Sequence, residues 1–214
     1  MGVTVELLFR IVFSAMWVIF LTIFAWLGYL TKGSGSRRTT RRASLLRVGA
    51  LAFAALYFAG ALLYLLLPGW VILFSIPLPD WVRSIMVGVA ALGILLVSMA
   101  CRTLGDNWAP SVSGVRKDTV LVTNGLYGSV RHPIYSGAFI FLAALALIAA
   151  NSLILLTTLA LLGLLYISIG EEEALLIERF GDEYCEYMKR TPRFVPKLRH
   201  RNLPLWRSYA NERS

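Results

Sequence analysis

The sequence predicts an all-α, polytopic integral membrane protein with about five transmembrane helices and a cytoplasmic amphipathic helix toward its C-terminus. Three observations predict it. Hydrophobic residues make up 57% of the 214 and charged residues only 15%, with a mean hydropathy of +0.68, outside the range of soluble domains. Four stretches carry no charged residue at all: 11–30, 48–79, 84–101 and 134–170. All of the 21 Lys and Arg except Arg10 and Arg83 fall in three regions: 32–47 between the first and second spans, 102–131 between the third and fourth, and the part after Gly170.

A hydrocarbon core of about 30 Å needs about 20 helical residues. The first and third stretches fit one crossing each. The second fits one crossing that ends near Leu67, because Pro68-Gly69 and Pro77-Leu78-Pro79 follow. The fourth stretch holds 37 residues, about 55 Å of helix at 1.5 Å per residue. That suits two short crossings with a turn at Asn151-Ser152. The basic regions orient the chain with its N-terminus outside and its C-terminus in the cytoplasm. The net charge of +9 is then accounted for by orientation and attraction to anionic lipid, and no basic-aromatic motif argues for nucleic acid. Residues 11–30 make a poor signal peptide, with an overlong apolar core, Glu6 before it and no small-x-small site after it. Cys101 and Cys185 are both placed on the cytoplasmic side, where a structural disulfide is not expected, and with only two histidines the chain offers no metal motif.

Three regions follow: an N-terminal three-span region at 1–101, a functional region at 102–196, and a basic tail at 197–214. Within the second, Ala174, Ile177, Phe180, Tyr184, Tyr187 and Met188 recur at helical spacing and predict an amphipathic helix over 171–190, ending before Pro192. Pro192-Arg193-Phe194-Val195-Pro196 is expected to be extended.

Polar chemistry stands at both ends of the 134–170 stretch. Arg131 and His132 precede Pro133, a residue suited to the first turn of a helix, whose N-terminus attracts anions. On spacing alone two readings stay open: an anion pocket, or a positive-inside anchor beside an interfacial histidine. Glu171-Glu172-Glu173 is likewise either a functional cluster, since charge at the end of a span is costly unless paired, or the acidic first turn of the amphipathic helix. Tyr127, Tyr135, Tyr184 and Tyr187 line a pocket or belong to an aromatic belt.

The run Leu121-Val122-Thr123-Asn124-Gly125-Leu126-Tyr127, then Val130-Arg131-His132-Pro133-Ile134-Tyr135-Ser136-Gly137, then Glu172-Glu173, Leu176, Phe180-Gly181, Tyr184, Tyr187 and Pro192 to Pro196, resembles the isoprenylcysteine carboxyl methyltransferase family. The resemblance covers roughly residues 102–196, and it departs from the family at Leu126, where a proline is common, and at Thr191, where a valine is. It implies an integral-membrane methyltransferase using S-adenosyl-L-methionine in a cytoplasmic pocket closed by the C-terminal helix, with a lipophilic or lipidated substrate entering from the bilayer. It further implies that Tyr127, His132, Pro133, Tyr135, Gly137, Glu172 and Glu173 bind the cofactor. Arg131 and Glu172 take the catalytic roles, and Arg131 and Arg193 hold the acceptor.

Methyl transfer is an in-line displacement that needs alignment and a dry site rather than a metal, and an arginine fork suits a carboxylate acceptor. Competing readings are methylation of a phospholipid amine or a small thiol, an NADPH-dependent membrane reductase, and a non-catalytic membrane scaffold.

Overall fold

The computed structural model describes residues 3–30, 37–38, 41–67, 69, 73–107, 115–116 and 120–197. Helices α1 (Val3–Leu30), α2 (Arg41–Leu66) and α3 (Asp80–Leu104) are followed by a short α4 (Leu126–Ser129), then α5 (Pro133–Ala149), α6 (Ser152–Phe180) and α7 (Asp182–Arg190). Three of them, over Thr4–Leu27, Asp80–Leu104 and Ser152–Phe180, are long and apolar enough to cross a membrane; Leu51–Leu66 and Pro133–Ala149 are apolar but shorter. Large apolar side chains such as Leu7, Val18, Leu56, Leu92 and Leu156 face outward, the arrangement expected where lipid is the solvent. The basic tail from 198 onward, the connector at 31–36 and Trp108 lie outside the described residues.

The centre of the bundle is the crossing of α3 and α5. Gly93 and Gly137 bring the two backbones together: a Cβ added at Gly93 would lie 2.7 Å from the Phe141 nitrogen, and one at Gly137 would lie 2.8 Å from Val97 Cγ2 and 2.9 Å from the Gly93 carbonyl oxygen. Small residues permit such contact where no hydrophobic force drives helices together. Phe13, Tyr57, Phe141, Leu145, Ile148 and Ile154 fill the core around it, and the Phe20 and Phe141 rings stack at 4.4 Å.

The turn between α5 and α6 falls at Asn151-Ser152, where the sequence predicts it. Ala150 takes a left-handed conformation with φ 47°, and the Asn151 side chain accepts from the nitrogens of Leu153 and Ile154 at 3.1 and 3.2 Å. That is the standard service of an asparagine cap. The segment before α3 lies against this turn: Ile76 N donates to Ala150 O and Ser152 N to Phe74 O, both at 2.7 Å.

The same end of the bundle holds a buried charge cluster. Arg83 is fully buried, donating from Nε to the Ile148 carbonyl and from Nη1 to Glu6 Oε2, both at 2.8 Å. Tyr64 donates to Glu6 Oε1 at 3.0 Å, and the Arg83 guanidinium sits 3.9 Å from the centre of the Phe9 ring. The two basic residues that depart from the charge pattern, Arg10 and Arg83, are thus both beside Glu6, with Arg10 Nε 3.9 Å from it. At the opposite end, residues 37–38 pair antiparallel with 115–116, Arg37 opposite Arg116. The described parts of the two basic connectors therefore lie together.

One expectation is corrected. No helix begins at the acidic triplet. α6 runs unbroken from Ser152 to Phe180 and carries Glu171, Glu172 and Glu173 within it. Glutamate is a good helix former, and a lone Gly170 inside a helix does not end it. The break comes at Gly181, whose positive φ of 55° is open to glycine at little cost. The C-terminal helix is accordingly α7 alone, 182–190, with Tyr184 and Tyr187 buried and Ala174 and Ile177 left on the exposed side of α6.

Candidate active site

Pro133 opens α5 at its first position and is itself buried. The chain reaches it through Arg131 and His132, whose backbone nitrogens donate to the carbonyls of Pro192 and Arg193 at 2.8 and 3.0 Å. The C-terminal segment 191–194 therefore runs alongside the start of α5. Ser136 reinforces the join: its hydroxyl donates to the carbonyls of His132 at 3.1 Å and Phe194 at 3.0 Å. Less than one turn of α6 beyond its uncharged part brings Glu173 opposite.

Glu173 is the hub. Arg131 donates to its Oε1 from Nε at 3.1 Å and from Nη2 at 2.9 Å. His132 Nε2 lies 3.2 Å from the same oxygen, the geometry of the tautomer that carries its proton on Nε2. Arg193 donates from Nε to Oε1 at 3.2 Å and from Nη2 to Oε2. Glu173 is 5% exposed and His132 4%, so removal of Glu173 leaves the largely buried Arg131 without its counter-charge. The Arg131 guanidinium also donates from Nη1 to the carbonyls of Met188 at 3.0 Å and Thr191, which closes the end of α7. Contact with the carboxylate keeps the Arg193 guanidinium more firmly protonated than usual.

The sequence-predicted residues sort into three groups. Arg131, His132, Glu173 and Arg193 meet in one network. Tyr135 and Glu172 form a second contact beside it, the Tyr135 hydroxyl donating to Glu172 Oε2 at 2.8 Å. Glu172 is half-buried, and Tyr135 is its one hydrogen-bond partner among the described residues. Gly137 belongs to neither. It faces α3 at the crossing with Gly93, so its lack of a side chain serves helix packing. The Arg131 fork is turned toward Glu173, whose Oε1 accepts from Arg131 and Arg193 and meets His132, and whose Oε2 accepts from Arg193. His132 is buried and bonded.

Tyr127 is buried under α7, and its carbonyl accepts a 2.6 Å hydrogen bond from the Tyr187 hydroxyl. Burial pushes Tyr187 up to about 12, so it stays a neutral donor. Tyr184 packs against Tyr187 with ring centres 5.8 Å apart. Its hydroxyl is buried and finds no partner.

Ser136 and Phe194 lie in the quoted motifs, but sequence reasoning gave them no role and missed the aromatic row that Phe194 forms with Phe139 at 5.5 Å and Tyr166 at 6.0 Å. No local pattern marks Phe139 or Tyr166. They join only through tertiary contact of α5, α6 and the segment after α7.

Known proteins resemble this chain in the same region. A protein-S-isoprenylcysteine O-methyltransferase of Schizosaccharomyces pombe is 37% identical over 113 residues, covering 52% of this chain and 48% of that protein. A nickel-cobalt-cadmium resistance protein of Alcaligenes xylosoxydans is 33% identical over 119 residues, 55% of this chain and 53% of its own length. A protein-S-isoprenylcysteine O-methyltransferase of Xenopus laevis is 34% identical over 121 residues, 56% and 42%. A solved eukaryotic intramembrane Ras methyltransferase superposes with a TM-score of 0.49 at 26% identity, over 75% of this chain and 54% of that one. The chain spans about half the length of the curated relatives it matches. Residues 86–178, which hold α5 and most of α6 with the motifs at 130–137 and 172–173, match the isoprenylcysteine carboxyl methyltransferase family model.

Proposed function

We propose that this chain is a five-span membrane methyltransferase that uses S-adenosyl-L-methionine to methylate a carboxylate of a lipophilic acceptor such as an isoprenylcysteine. In this reading the two shorter apolar helices also cross, the N-terminus is outside, and the site faces the cytoplasm. The observation that carries it is the meeting of Arg131, His132, Arg193 and Glu173, with Tyr135 and Glu172 beside them, inside or just beyond the segment that matches the family model.

Bound S-adenosylmethionine supplies a methyl group activated on a sulfonium sulfur. The residues present suit it: among the described residues Glu172 meets only Tyr135, and it can accept from a ribose diol or face a cationic ligand. Tyr135 fixes the rotamer of that carboxylate. The Glu173 network holds segment 191–194 over the start of α5 and keeps water from it, which favours displacement in a desolvated site. Arg131 acts through Glu173 and the carbonyls of Met188 and Thr191 as a positioning residue. Arg193, whose side chain is 39% exposed against 10% for Arg131, presents the guanidinium face that is open to an incoming carboxylate. A carboxylate acceptor is already nucleophilic, so alignment is the main demand. An amine acceptor would instead ask Glu172 to take a proton.

Titration calorimetry of detergent-purified protein with S-adenosylmethionine and NADPH in parallel tests the class. Transfer of a labelled methyl group to a farnesylcysteine analogue and to phosphatidylethanolamine tests the acceptor. Binding of S-adenosylmethionine and labelling of the farnesylcysteine analogue are expected. Binding of NADPH alone overturns the reading in favour of a reductase, and labelling of phosphatidylethanolamine alone overturns the acceptor.

A further inference from the structure

Among the described residues, one buried side-chain oxygen has no hydrogen-bond partner: the Tyr184 hydroxyl. Tyr184 is 1% exposed, so bulk water does not serve it. Among the described residues, the polar groups of this site are already engaged. Glu173 Oε1 meets Arg131 and His132, and its Oε2 accepts from Arg193. The neighbouring Tyr187 spends its hydroxyl on the Tyr127 carbonyl. A buried hydroxyl without a partner destabilises the fold that contains it, and a phenyl ring would fill the same space without that cost. Tyr184 nonetheless lies where the charges of Glu173, Arg131 and Glu172 are felt, next to the one acidic side chain of the site with unspent capacity.

We propose that Tyr184 is a cofactor-binding residue whose hydroxyl takes its missing partner from the ribose or amino-acid portion of S-adenosylmethionine. The proposal rests on the methyltransferase reading above. It makes the orphan hydroxyl a cost to the free protein that the bound cofactor repairs. Removing the hydroxyl should therefore move stability and affinity in opposite directions, which a purely structural tyrosine cannot do.

The experiment compares wild type, Tyr184→Phe and Tyr187→Phe, each stripped of cofactor. Thermal unfolding in detergent is followed without ligand, and calorimetry is run with S-adenosylmethionine and with S-adenosylhomocysteine. Tyr184→Phe should unfold at or above the wild-type temperature while losing about tenfold or more in affinity for both ligands. Tyr187→Phe, which strands the Tyr127 carbonyl, should unfold earlier and serves as the contrast. Earlier unfolding of Tyr184→Phe, or unchanged affinity in a variant whose wild type binds, overturns the proposal alone. A wild type that binds neither ligand overturns the methyltransferase reading and this proposal with it.

Discussion

Exchanging Glu173 for glutamine should cost stability, whereas the same change at Glu172 should cost affinity. The structure separates the two neighbours. Glu173 is 5% exposed and meets two guanidinium groups and an imidazole; Glu172 is half-buried and meets one phenol. Glu173→Gln keeps shape and one acceptor oxygen but leaves Arg131 buried without its counter-charge. Breaking a buried pair from one side costs about 3–5 kcal/mol. The more exposed Arg193 adds little because solvent screens it. At about 2–4 °C per kcal/mol for a chain of this size, the unfolding temperature should fall by on the order of 10 °C. Segment 191–194 should loosen with it. Glu172→Gln still accepts from Tyr135, so its unfolding temperature should stay within roughly 2 °C of wild type. It should lose about 1.5–3 kcal/mol of cofactor binding, roughly a tenfold to a hundredfold change. The assay is paired: unfolding by tryptophan fluorescence in detergent, and calorimetry with S-adenosylmethionine. If Glu173→Gln unfolds no earlier than Glu172→Gln, Glu173 is not the hub. If Glu172→Gln binds normally, the unspent carboxylate has another use.

Other expected outcomes follow from single contacts. Gly137→Val should prevent assembly of α3 on α5, because the added carbons meet backbone atoms 2.9 Å away that cannot yield; Gly163→Ala, with nothing within 4 Å, should be tolerated, and the yield of folded protein in size-exclusion chromatography compares them. Arg131→Lys keeps one charge on Glu173 but loses the planar fork and the carbonyls of Met188 and Thr191. Methyl transfer should drop by tenfold or more, and limited proteolysis should cut faster within 191–196; unchanged rates in both assays would make Arg131 an anchor only. Cysteines at Asn151 and Ser34, in protein lacking Cys185, should react with impermeant maleimide from opposite faces of intact vesicles, and reaction from one face would refute the five-span topology.

Much of this architecture was legible without coordinates because membrane constraints are strong. The 134–170 stretch is too long for one crossing and too short for three, and Asn151 is the residue in its middle that can cap a helix. The basic connectors had to gather at one end, and the pairing of 37–38 with 115–116 reflects that. The site was legible as a set of residues but not as a set of jobs. Nothing local distinguishes Glu172 from Glu173: their one-residue offset turns them about 100° apart on α6, one toward Tyr135 and the other toward the two arginines. The end of the last helix at Arg190 matches the sequence reading, but its start was misplaced because the apolar spacing continues across Gly181, and only the backbone conformation of that glycine shows the break. The packing role of Gly137 was not legible, because its neighbour across the bundle, Gly93, lies far away in sequence and gives no local sign of the crossing.

The Glu6–Arg83 contact joins residues 77 positions apart and also engages the carbonyl of Ile148. This sets an order of assembly. During synthesis the first helix forms with Glu6 facing only Arg10 of its own helix, because Arg83, which donates to it at 2.8 Å, has not yet been made. When Arg83 arrives, its second partner, the last turn of α5, is still some sixty residues from the ribosome's exit. The first helix can therefore be held only provisionally until the hairpin of α5 and α6 closes, and the same closure brings Glu173 to Arg131 at the opposite end. One folding event thus locks both ends of the bundle, so a fault in the first helix should be felt at the site at the other end of the bundle.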